Sequence, residues 1–188
     1  MEKEGKVKGE IIRMVLEYIK REKGEEGLKK IEGKLEELGY PLYFQEIKSF
    51  EEYRECQFVL ILLLVRDIFG WTEEEIREMG VFAAKSSMIA KVLFKYFGSL
   101  TRFVEEIPNY WKKYSDFSSL KIINFNEEEK FVIFQLNDYN FHPLACAYHQ
   151  GFFLAIACFS IRGENILLTE TKCSHRGDKS HEYKITWE

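Results

Sequence analysis

The first half of the chain carries apolar residues at helical spacing. Between residues 7 and 23 they recur every three or four positions, which predicts an amphipathic helix. A second stripe follows Gly24 and runs to Leu38, where Gly39 and Pro41 indicate the end of a helix. These two helices are expected to pack against each other.

Further helices are predicted before residue 115. The run 51–69 is strongly apolar and long enough for a buried helix. Thr72 with Glu75 three positions later is typical of a capping box, so a short helix starts there. The stretches 81–97 and 101–114 also carry helical patterns.

The pattern then changes to β-branched and aromatic runs. Residues 120–125 and 130–136 predict a hairpin, and residues 165–173 and 181–187 predict a second one, with a helix at 142–159 between them. The order is therefore helices, two strands, a helix and two strands. It predicts an α+β fold with a helical N-terminal half packed on an antiparallel sheet of about four strands.

Composition and charge exclude several classes of function. The chain has 188 residues, is 46% hydrophobic and 15% aromatic, and has a formal net charge of -4. This charge provides no general attraction to nucleic acid or to an anionic membrane surface. The longest apolar run, 58–65, is too short to span a bilayer, and the polar amino terminus does not resemble a signal peptide. We expect a cytoplasmic protein with a single domain.

The chain has no Gly-rich phosphate loop and no nucleophile elbow, so neither nucleotide binding nor an enzymatic activity is indicated. Its four cysteines are expected to be reduced thiols or metal ligands rather than a disulfide framework. Two of them, Cys56 and Cys158, have apolar neighbours typical of core residues.

The last third contains a candidate metal site. Cys146, Glu170, Cys173 and His181 offer sulfur, oxygen and nitrogen ligands that suit a closed, structural zinc ion. The alternative for His181 is a hydrogen-bonded core histidine. The odd spacing between Glu170 and Cys173 requires the strand to bulge or to end before Cys173 if both are to face one site.

A second row of ligand-type residues lies on the predicted helix 142–159. His142, Cys146 and His149 share one face at spacings of four and three residues, as ligands of a metal or haem would. The alternative is that His142 caps the start of the helix and that His149 makes a polar contact. Both interpretations stay open from the sequence.

The stretch 143–187 resembles the 4-vinyl-reductase-like small-molecule-binding domain. The resemblance rests on Cys146, Gly151, Glu170, Cys173, Gly177, Asp178 and His181. In the aromatic-sensing members of this family the matching Cys, Glu, Cys and Cys residues hold zinc. Here His181 stands for the last cysteine. The resemblance implies an α+β fold related to haem-dependent nitric-oxide sensor domains and to vesicle-tethering subunits.

The resemblance also implies an apolar ligand cavity between helices and sheet. We expect roughly 300 Å³ or more, as ligand sites usually have, bounded by the helix 101–114 and the first hairpin. For each candidate lining residue the alternative is ordinary core packing. The candidates are Phe97, Tyr110, Trp111, Phe134 and Phe152.

The sequence therefore favours a non-enzymatic sensor or carrier that binds a small hydrophobic or aromatic molecule and has a structural zinc ion. We expect a homodimer, with residues 1–70 as its packing part and 71–188 as its ligand-binding part. The first rival is a haem-based gas sensor, which needs an axial histidine in the front half and a Tyr-x-Ser-x-Arg motif. The motif is missing, and the histidines are His142, His149, His175 and His181. A reductase, the second rival, is suggested only by the family's name.

Overall fold

The computed structural model describes residues 5–87 and 99–188. Its first helix, α1, spans Gly9–Glu37 and is interrupted at Gly24, where φ is 70° and ψ is -175°. Glycine adopts a positive φ at little cost, so the chain breaks its helical path there. The two predicted N-terminal helices are thus the two segments of α1.

A small two-stranded sheet joins the start of the chain to the second helix. Strand β1, Lys6–Lys8, pairs antiparallel with β2, Glu52–Arg54. Helix α2 follows directly as Glu55–Phe69 and ends at Gly70. The predicted helix at 51–69 therefore starts about four residues too early, because residues 52–54 form backbone hydrogen bonds with β1 instead.

Helix α3, Glu73–Ser86, begins at the predicted capping box, where the Thr72 backbone N–H donates to the Glu75 carboxylate at 2.7 Å. The helix continues without a break at residue 81, so the start predicted there is wrong. The remainder of the predicted helix, 88–97, lies outside the described residues. Helix α4, Leu100–Tyr114, agrees with the prediction within one residue.

The second half contains both predicted hairpins. Their strands are β3, Ser119–Asn126, and β4, Phe131–Asn137, then β5, Leu167–Lys172, and β6, His181–Thr186. Helix α5, Leu144–Ser160, connects the hairpins. The four strands form one antiparallel sheet in the order β3-β4-β6-β5. The predicted α+β fold is confirmed.

Helix α5 is buried between α3 and the sheet. A methyl group on Gly80 would lie 2.0 Å from the Tyr148 carbonyl oxygen, and one on Gly151 would lie 1.9 Å from the Arg77 carbonyl oxygen. The two helix backbones therefore touch at these glycines. On the other side, the Phe153 ring of α5 lies 5.0 Å from the ring of Phe134 in the sheet. This sandwich places α5 beside every candidate site.

None of the described helices is long and apolar enough to cross a membrane.

Candidate cavity and polar cluster

The β5–β6 hairpin and helix α5 bring the four predicted site residues together. Ligand-type atoms of Cys146, Glu170, Cys173 and His181 all lie within 4.8 Å of one another. Cys146 lies in the first turn of α5, and the other three lie on or next to β5 and β6. We call this group the polar cluster.

A bulge in β5 lets Glu170 and Cys173 face the same side. Glu170 pairs with Tyr183 and Lys172 pairs with Glu182, which leaves Thr171 as the extra residue between them. The strand ends at Lys172, and the Cys173 backbone N–H donates to the Asp178 carboxylate at 2.8 Å. The predicted bulge is confirmed.

Both ring nitrogens of His181 have hydrogen-bond partners. Its Nε2 lies 2.7 Å from the Ser174 hydroxyl and 2.9 Å from the Tyr139 backbone oxygen. Its Nδ1 lies 3.1 Å from Glu170 Oε1. His181 therefore joins the Tyr139 backbone to Glu170.

Cys146 and Cys173 complete the polar cluster. Cys146 Sγ lies 3.8 Å from Cys173 Sγ and 3.8 Å from His181 Nδ1. Burial raises the pKa of the Cys146 thiol well above its ordinary value, and the nearby Glu170 and Cys173 add to this effect. Because a metal binds the thiolate rather than the thiol, these surroundings keep Cys146 in its weaker ligand form.

A separate cavity of about 100 Å³ lies between β1, α1, α2, α4 and α5. Of the predicted lining residues, Tyr110, Trp111 and Phe152 lie on its wall. Phe134 lies instead on a second cavity, of about 50 Å³, next to the β3–β4 hairpin. Phe97 lies outside the described residues. Whether any of them contacts a ligand stays a prediction.

The main cavity is smaller than predicted and only partly where it was expected. Helix α4 does bound it, but the first hairpin bounds only the smaller cavity. Aromatic rings fill much of the space, since the rings of Phe58 and Tyr148 meet edge to face at 4.9 Å and those of Phe117 and Tyr139 lie 5.7 Å apart.

A buried carboxyl group lies on the cavity wall. Glu55, the first residue of α2, is only 3% exposed, and its Oε1 accepts a 2.6 Å hydrogen bond from the Tyr139 hydroxyl. Burial raises the pKa of Glu55 to about 7, although the Tyr139 hydrogen bond acts in the opposite direction. The carboxyl group can therefore change its charge near neutral pH.

His149 lies on the same wall. Its ring is 4.6 Å from the Tyr139 ring and stacks on Phe153 at 5.8 Å. Burial lowers the pKa of His149 to about 3, so the imidazole is neutral at physiological pH. No hydrogen bond to this ring is found in the described part of the chain.

The helical row His142, Cys146 and His149 does not form one site. His142 Nδ1 accepts from the Leu144 backbone N–H at 3.1 Å, as the capping alternative predicts. Cys146 belongs to the polar cluster and His149 to the cavity.

Sequence reasoning missed Glu55 and Tyr139. Acidic residues in the first turn of a helix are usually exposed, so Glu55 looks like an ordinary surface residue before an apolar run. A charged residue next to such a long apolar run was the only available indication.

Comparison with protein-family models and with curated proteins finds no match. Solved structures, however, match almost the whole chain. An H-NOX protein from S. oneidensis in the Fe(II)NO state gives a TM-score of 0.71 at 15% identity, covering 96% of this chain and 99% of that one. An oxygen-binding H-NOX domain related to soluble guanylate cyclases gives 0.67 at 14% identity, covering 96% and 95%. The chain has the H-NOX fold.

The H-NOX fold confirms the predicted similarity in fold to haem nitric-oxide sensor domains. Membership of the 4-vinyl-reductase-like family is not confirmed and stays a prediction. The zinc prediction is wrong. Solved structures with this fold are described by Fe(II)NO ligation, haem redox potential and porphyrin distortion, so their cofactor is haem. In this chain the members of the polar cluster bond to one another and to the neighbouring Tyr139, Gln150 and Arg176.

The cavity offers residue types that bind haem iron but not the space or charge that haem needs. Histidine and tyrosine are known axial ligands, and His149, Tyr110, Tyr139 and Tyr148 lie on the described wall. The cavity of about 100 Å³ is nevertheless smaller than the roughly 150 Å³ that takes up benzene, and haem is several times larger than benzene. Its described wall contains the Glu55 carboxyl group and no lysine or arginine to pair with the haem carboxylates. The described residues therefore supply an axial ligand but do not fit a resident haem.

Proposed function

We propose that the chain is a small-molecule-binding sensor or carrier module whose ligand occupies the cavity between α1, α2, α4 and α5. One observation carries this proposal: the aromatic wall of the cavity also contains a buried carboxyl group and a neutral imidazole. Apolar pockets with a few fixed polar groups are the usual form of a ligand site. The H-NOX fold supports the proposal, since structures with this fold hold nitric oxide and oxygen.

Filling the cavity tests this function. We expect small apolar molecules such as phenol, indole and short alcohols to raise the melting temperature, because they bind only the folded state. Ile107→Phe adds a ring at the cavity wall and should abolish the shift. Ile123→Phe, on the 44% exposed Ile123 of β3, is the matched control and should retain it. A wild-type protein that shows no shift with any of these molecules would contradict the proposal.

A haem-based gas sensor is the second candidate. The H-NOX fold and the His149 imidazole on the cavity wall favour it over the zinc-supported sensor. Titration of the protein with hemin tests it by visible absorption. A saturable Soret band that His149→Ala removes would establish haem binding. A spectrum identical to that of free hemin would exclude it and leave the small apolar ligand.

A further inference from the structure

The Glu55 carboxyl group has unused capacity to accept a hydrogen bond. Its Oε1 accepts from Tyr139, and no second partner of the carboxyl group is found among residues 5–87 and 99–188. Because Glu55 is 3% exposed and lies on the cavity wall, bulk water provides little compensation. A buried carboxyl group with a free oxygen favours a ligand that donates.

The charges around Glu55 oppose an anion. The described wall of the cavity contains no lysine or arginine, and Glu55 is its only carboxyl group. The ionisable neighbours on the other elements include Tyr139, Tyr148, His149 and Asp116, of which burial keeps the first three neutral. Asp116 adds negative charge nearby and raises the pKa of Glu55 further. A positively charged group is the partner that this end of the cavity lacks.

The rest of the wall suits the apolar part of such a ligand. Phe58, Trp111, Phe117 and Tyr148 present aromatic rings, and ring faces also attract cations. The cavity volume of about 100 Å³ limits the size of the ligand. An apolar cavity of roughly 150 Å³ takes up benzene, so a short alkyl chain or one small ring is the upper limit here.

We propose that the cavity binds a small apolar amine, with its ammonium group donating to Glu55 and its hydrocarbon part against the aromatic wall. Tyr139 holds the carboxyl group through Oε1 and leaves Oε2 for the ligand. This inference rests on the proposed function, because it requires the cavity to be the ligand site.

Three molecules with similar branched alkyl groups and different polar groups test the ligand class. Isopentylamine, isopentyl alcohol and isovalerate are titrated by calorimetry into the wild type, Glu55→Gln and the exposed-site control Glu105→Gln. We expect the wild type to bind the amine at least about tenfold more tightly than the alcohol and not to bind the anion. Glu55→Gln should lose at least about tenfold for the amine only. Glu105→Gln should match the wild type.

The outcomes separate this inference from the proposed function. Equal affinity for amine and alcohol, unchanged in Glu55→Gln, would overturn the amine inference and retain the cavity as a ligand site. Failure of all three molecules to bind a wild type that still binds phenol or indole would overturn the amine inference alone, and failure of phenol and indole as well would overturn both. Glu55→Asp provides a second variant that keeps the charge but withdraws it by one methylene. Weaker amine binding with unchanged alcohol binding is expected, and unchanged amine binding would overturn the inference.

Discussion

Tyr139 connects two parts of the molecule through its two polar groups. Its hydroxyl donates to Glu55, 84 positions earlier, on the cavity wall. Its backbone carbonyl accepts from His181, 42 positions later, in the polar cluster. A ligand that displaces the Tyr139 side chain therefore acts on a residue whose backbone contacts His181 in the β5–β6 hairpin.

The buried Glu55 should make stability depend on pH. Its pKa is about 7 in the fold against an ordinary 4.5. Between these values the folded state keeps a proton that the unfolded state has released, so stability falls as pH rises through this window. The protonated Glu55 contributes about 3 kcal/mol to stability, and this contribution is fully present at pH values below the window. Glu55→Gln should lack this loss in urea unfolding measured across the window, and an identical pH profile would contradict the burial effect.

His149 should act in the opposite direction. Its pKa is about 3 in the fold against an ordinary 6.5. The unfolded state binds a proton in this range and the folded state does not, so stability is lost as pH falls, by an amount on the order of 5 kcal/mol. His149→Phe should retain more of its neutral-pH stability at acid pH than the wild type does. Where the two windows overlap the effects of Glu55 and His149 cancel in part, so the single variants are more informative than the wild type.

The α3–α5 contact should not tolerate a methyl group. Gly80→Ala places Cβ against the Tyr148 carbonyl oxygen and should destabilise by about 3 kcal/mol, since backbone must move. Gly33→Ala, with nothing within 4 Å of its added Cβ, is the matched control within helix α1. It should stabilise by about 0.5–1 kcal/mol. Thermal unfolding of both variants measures the difference, and equal effects would contradict the close contact.

The polar cluster should stabilise the fold through hydrogen bonds alone. A chelator such as EDTA should leave the melting temperature unchanged. His181→Ala should cost about 2–3 kcal/mol, because it removes one hydrogen-bond partner from Glu170 and one from the Tyr139 carbonyl. His142→Ala removes a partly exposed imidazole, so it should lower stability less than His181→Ala does. A fall in melting temperature on chelation, restored by adding a metal ion, would contradict the hydrogen-bonded interpretation.

The homodimer stays a prediction. Near the end of α1, Leu38 is 47% exposed, which suits an interface of the N-terminal helices. Leu38→Glu should therefore produce monomers in light scattering at micromolar concentration. Leu167→Glu, at the 63% exposed Leu167 of β5, should leave the dimer intact. A monomeric wild type would exclude the dimer.

Local patterns determined much of the fold. The glycine break in α1, the Thr72 capping box and both hairpins follow from interactions between residues a few positions apart, which sequence spacing records directly. The bulge in β5 is also a local consequence. Strand alternation allows Glu170 and Cys173 to face one side only if an extra residue is inserted between them.

The sequence by itself determined the α+β class, the two hairpins with the helix between them and the meeting of Cys146, Glu170, Cys173 and His181, but it did not predict the β1–β2 sheet. Only the tertiary structure decided where the cavity lies, how large it is and that Glu55 is buried on its wall. Those properties depend on contacts such as Glu55–Tyr139, between residues distant in sequence, and on how aromatic rings divide the space between helices. A contact between residues distant in sequence and the volume of a cavity leave no local sequence pattern, because several helices and strands together determine each of them.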